Sequence, residues 1–133
     1  MAIFVSLSLT ELLYLRKPEP TLDIPISMYS EKARVKVSIT GVDIKAHSVY
    51  SRDDVASIVA YSRPWMLKEP TLENITRLLA LKINRYAHKV NPYTTGITVV
   101  VEKLDADNDV VYSVRVDVTN DELMVEEPPI KEA

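Results

Sequence analysis

The hydrophobic period of this chain changes twice, and that change limits the folds open to it more than any single residue does. Ile3, Val5, Leu7 and Leu9 alternate with Phe4, Ser6, Ser8 and Thr10, and Val35, Val37 and Ile39 alternate with Lys36, Ser38 and Thr40. A period of two buries one face of a strand. From Ser51 the period lengthens. Val55, Ile58 and Val59 fall on one helical stripe behind a Ser51 cap and an Asp53-Asp54 first turn, with Pro64 beyond the end. Leu72, Ile75, Leu79, Ile83, Tyr86 and Val90 then recur at spacings of three or four, widened by Leu78, which predicts a second helix over about 71–89, ending before Asn91-Pro92. The period returns to two in Ile97, Val99 and Val101 and again in Tyr112, Val114, Val116 and Val118. The polar run Asp105-Ala106-Asp107-Asn108-Asp109 between them supplies the turn.

The order strand, strand, helix, helix, strand, strand predicts an α+β fold, an antiparallel four-stranded sheet with both helices on one face. Gly41 interrupts the second strand pattern, so Val42 to Tyr50 either continues it past a bulge or folds back beside it. Residues 16–30, with Pro18, Pro20 and Pro25, read as an extended connection. Residues 1–120 are expected to form one domain, and residues 121–133, with Glu126-Glu127-Pro128-Pro129, an acidic tail lacking any period. A chain of 133 residues, 47% hydrophobic and 26% charged, has the balance of a single globular domain. At that size roughly two-thirds of the unfolded surface can be buried without disulfides or a structural metal.

Composition then removes whole classes of function. The absence of Cys excludes thiolate nucleophiles, redox pairs and cysteine zinc sites. The two histidines, His47 and His88, have no HxH or HExxH spacing, so no metal site and no cofactor is expected, and His88 reads as a helix-dipole partner. No glycine-rich dinucleotide or P-loop motif is present. A net charge of −3 does not favour phosphate backbones, so nucleic acid would need a local basic patch. The apolar opening alternates and meets Glu11 too early for a membrane span, which points to a cytoplasmic, membrane-free protein. The lack of Gln, with two Gly and eight Pro, fits a thermophilic source.

Two segments carry a family resemblance. Pro70-Thr71-Leu72-Glu73-Asn74-Ile75, opening the second helix, and the strand from Ile97 to Leu104 resemble the tunnelling fold, or T-fold, the pterin and purine family that includes 6-pyruvoyltetrahydropterin synthase and dihydroneopterin aldolase. The synthase branch often reads Pro-Thr-x-Glu-Asn at that point, and Glu31 to Val37 is similar to its first strand pair. The resemblance covers about residues 3–118 and implies a homo-oligomer that binds a small planar heterocycle. The synthase's three zinc histidines have no counterpart around Met28-Tyr29-Ser30, so the resemblance is to metal-independent chemistry. Carried over by position, Glu73 matches the glutamate that anchors the pterin, and Lys103 the lysine used in proton transfer, although Leu104 stands where proline usually follows.

Physical reasoning gives the same residues two readings. A rigidly held carboxylate accepts two parallel N–H bonds from an amino-pyrimidine edge, a role open to Glu73 or Glu102, with Tyr50 a further ligand-binding candidate. Equally, Glu73 is a first-turn acid favoured by the helix dipole, and Glu102 an exposed strand residue paired with Lys103 or Arg115. A nucleic-acid reading would use Arg77, Lys82, Arg85 and Lys89 on the second helix, with Trp65 as a stacking platform. A solvated helix face and a core-capping tryptophan explain the same residues. The remaining alternative is a non-catalytic assembly or protein-interaction module.

Overall fold

The computed structural model describes residues 3–16, 31–43 and 50–119, with the side chains of Ile3 and Asp43 excepted. The elements follow the order read from the sequence: β1 (Ile3–Tyr14), β2 (Lys32–Asp43), α1 (Arg52–Ala60), α2 (Leu72–Val90), β3 (Thr94–Leu104) and β4 (Val110–Thr119). The four strands form one antiparallel sheet in the order β1-β2-β3-β4. Residues 17–30 of the expected 16–30 connection, His47 and the 121–133 tail lie outside the described residues.

Alternation decides which face of the sheet is covered. The register aligns Leu7, Ile39, Ile97 and Val118 across the sheet, and next to them Leu9, Val37, Val99 and Val116. These side chains share one face, and α1 packs on it over β1 while α2 packs over β3 and β4. Val55 and Val59 of α1 and Ile75, Leu78, Leu79, Ile83 and Ala87 of α2 complete one buried cluster with that face. Each fully buried Val, Leu or Ile contributes about 1.5–3 kcal/mol of transfer free energy, so the core is the main driving term.

Local chemistry fixes the ends of the elements. Ser51 Oγ accepts from Asp54 N at 3.3 Å and Thr71 Oγ1 from Asn74 N at 3.2 Å, so both helices begin at side-chain caps. A 3₁₀ turn, Pro64–Met66, follows α1, and Trp65 within it is half-buried. In the β3–β4 turn, Asp105 Oδ1 accepts from Asp107 N and Asp109 N, both at 2.9 Å, and Asn108 takes the left-handed conformation with φ 64°.

Strand pairing extends one boundary of the sequence reading and decides one of its open alternatives. β1 runs on to Tyr14, because β2 supplies a partner at each of its positions down to Tyr14↔Lys32 and the ladder outlasts the alternation. At Gly41 the bulge alternative holds. β2 continues to Asp43, and its register against β3 shifts between Thr40 and Gly41.

Candidate functional site

Glu73 and Lys103 come to the same end of the helix-covered face. α2 runs antiparallel to β3, so the start of α2 lies beside the end of β3, and β3–β4 pairing sets Lys103 opposite Tyr112. The Tyr112 hydroxyl donates to Glu73 Oε1 at 2.5 Å. Lys103 Nζ lies 3.7 Å from Glu31 Oε2, and Glu31 also holds Arg16 at 3.0 Å. The result is a surface row, Glu73 with Tyr112 and then Lys103 with Glu31 and Arg16, along the margin of the sheet.

Its electrostatics follow from the Tyr112 contact. That hydrogen bond holds the Glu73 carboxyl below the usual carboxylate range, and the same carboxylate raises the Tyr112 phenol above its ordinary value. The α2 N-terminus also favours a negative charge at Glu73. The site is therefore an exposed anion of fixed orientation with an aromatic ring at its side and a lysine on the neighbouring strand. Tyr112 and Glu31 were not among the site residues expected from sequence. Counting back across the turn from Lys103 would have found Tyr112, whereas Glu31 becomes adjacent only through β2–β3 pairing.

Glu102 and Tyr50 lie elsewhere. Glu102 points to the helix-free face, where Lys36 Nζ at 3.2 Å and Arg34 Nη1 at 3.7 Å balance its charge, instead of the Lys103 or Arg115 expected. Alternation puts Glu102 and Lys103 on opposite faces, and Arg115 is held by Asp117. Glu102 Oε1 is buried and receives no hydrogen bond, so its two cationic neighbours compensate it by charge alone.

Tyr50 is buried at the other end of α2. Its hydroxyl meets Thr94 Oγ1 at 2.8 Å and accepts from Asn91 Nδ2 at 3.3 Å, while Thr94 Oγ1 donates onward to Asn91 O at 2.8 Å. Asn91 caps the C-terminal end of α2 and Thr71 the N-terminal end. Nineteen residues at 1.5 Å rise separate the two ends by about 28 Å, so Tyr50 and Glu73 of one chain cannot hold the same small ligand.

The basic residues of α2 form only part of a stripe. Lys82, Arg85 and Lys89 fall within an arc of roughly 60°, but Arg77 lies about 80° outside it, and Lys82 is half-buried. Trp65 belongs to the turn after α1, away from that arc along the chain. His88 Nδ1 lies 3.0 Å from Asn84 O in the last turn of α2, in keeping with a helix-end role.

Among the described residues no group of three or more His, Asp or Glu is arranged to hold a metal, and no helix is long and apolar enough to cross a membrane. No protein-family model, curated protein or solved structure matches the chain.

Proposed function

We propose that the chain is a T-fold-like homo-oligomer that binds a small planar heterocycle of the pterin or purine type at Glu73, with Lys103 as the group available for acid–base chemistry. The observation that carries this reading is the Glu73–Tyr112 contact. It orients an exposed carboxylate on a rigid helix start and sets an aromatic ring beside it, which suits a ligand offering two N–H donors from a flat ring. Self-association is supported by the sheet edges. Phe4 and Leu12 on β1 and Val110, Val111 and Tyr112 on β4 are exposed, and unpaired edges of this kind are usually covered. Because the four strands alternate in direction, β4 of one copy meets β1 of the next antiparallel, which permits a closed ring.

Glu73→Gln tests the anchor. The substitution keeps shape and helix propensity while removing the charge. Binding of a pterin or purine identified by ligand screening should weaken about tenfold or more, the scale of a charge-assisted hydrogen bond, beyond whatever stability is lost with the Tyr112 contact. Equal affinity would assign Glu73 to helix capping and the Tyr112 contact alone and leave assembly as the better reading.

A further inference from the structure

The helix-free face of the sheet carries hydroxyl and cationic side chains across its middle strands. Two neighbouring rows cross it in register, Ser8–Ser38–Thr98–Asp117 and Thr10–Lys36–Val100–Arg115. Short hydroxyl side chains on β1 and β2 leave a shallow, open groove of about 580 Å³, lined by Ser8, Thr10, Ser38, Thr98 and Val100 together with Lys36 and Arg52. That volume suits a mononucleotide-sized ligand.

Arg52 is held there for a reason visible in the fold. It opens α1 and donates from Nη1 to Ser8 O at 2.9 Å. One contact fixes the guanidinium and leaves other N–H groups of the fork, and no carboxylate among the described residues pairs with it. Lys36 shares Glu102 with Arg34, so Glu102 keeps a cation if Lys36 turns to a ligand.

Positive charge exceeds negative charge on this face. The outward strand positions carry Lys32, Arg34, Lys36 and Arg115 against Glu102 and Asp117, with Arg52 added at the rim, in a chain whose net charge is −3. Asp117, the acid in the hydroxyl row, is engaged by Thr98 at 2.6 Å and by Arg115 at 3.1 Å. The hydroxyls of Ser8, Thr10 and Ser38 form no hydrogen bond among the described residues.

The geometry points to a second ligand site on the helix-free face, for a phosphorylated small molecule of mononucleotide size, its phosphate between Arg52 and Lys36 and its polar body on the Ser8, Thr10 and Ser38 hydroxyls. A guanidinium and an ammonium at the rim recognise a phosphate monoester, and adjacent hydroxyls match a polyol such as ribose. The site does not rest on the Glu73 reading, since Glu73 lies on the covered face.

Titration of the full chain with uridine 5′-monophosphate and with uridine, whose base lacks the amino-pyrimidine edge proposed for Glu73, followed by amide chemical shifts, tests this. Saturable shifts should appear at Ser8, Lys36, Ser38 and Thr98, and uridine should bind at least about tenfold more weakly for lack of the phosphate contacts. Arg52→Gln and Ser38→Val, the first removing a donor and the second filling the floor, should each weaken binding about tenfold. Absence of saturable shifts, equal affinity for uridine, or unchanged affinity in folded Arg52→Gln and Ser38→Val would overturn the proposal. A single-stranded oligonucleotide binding far more tightly, with shifts spreading to Arg34 and Arg115, would overturn it in favour of a nucleic-acid surface.

Discussion

At the residue scale, one hydrogen bond ties the candidate anchor to the edge strand, and its pH dependence can be worked out. The Glu73 carboxyl is lowered in the folded state, so its contribution is present above its unfolded value and is lost as pH falls through the folded one. The Tyr112 phenol is raised, so its contribution is present below the unfolded value and is lost as pH rises through the folded one. The melting temperatures of wild type and Tyr112→Phe should therefore differ most between the two ranges and converge in acid and in strong alkali. A pH-independent difference would assign the loss to packing. Gly41 gives a second residue-scale prediction. A Cβ there would meet Tyr50 Oη at 2.4 Å, Asn91 Nδ2 at 3.0 Å and Thr94 Cα at 3.1 Å. Gly41→Ala should cost about 1–3 kcal/mol by overpacking, and in a Tyr50→Phe background the cost should shrink, because the closest atom is gone. Denaturant unfolding of the four proteins in the cycle measures that coupling.

At the element scale, the helices owe their placement to caps and to the core stripe more than to propensity. Thr71 caps α2, and Asn74 Nδ2 also donates to Glu69 O at 2.9 Å, so two contacts anchor its first turn to the preceding chain. Thr71→Ala should lower stability by about 0.5–2 kcal/mol in chemical denaturation. Leu79, fully buried in mid-helix, should lose about 2–5 kcal/mol on substitution by Ala, because the covered face of the sheet cannot close the resulting cavity completely. The α1 cap is tied to α2 as well, since Ser51 N donates to the Tyr86 hydroxyl at 2.8 Å. Sequence periodicity identified both helices and all four strands. It stopped β1 short, because Glu11 occupies a core-side position and breaks the alternation while β2 still pairs with it.

At the scale of the whole molecule, one face of the sheet carries the helices, the other carries excess positive charge, and both edges are unpaired among the described residues. Sedimentation at micromolar concentration should find a homo-oligomer. Val111→Lys, placing a charge on the exposed β4 edge, should shift it towards the 15 kDa monomer with the circular dichroism spectrum unchanged. A wild-type monomer under those conditions would remove self-association from the proposed function.

What the sequence determined by itself was periodic. Strand and helix repeats place each residue on a face, and the faces dictate an α+β sheet with one covered side. The Glu73 position was legible for the same reason, because a cap at Thr71 and an acid in the first turn are local signals. What only the tertiary structure decided was adjacency between residues far apart in the chain. Glu31 meets Lys103, Tyr50 closes on Thr94, Arg52 curls onto Ser8, and Glu102 turns to Lys36 instead of its chain neighbour. Those contacts depend on strand register, and a shift of one residue in register would exchange the faces and dissolve each of them.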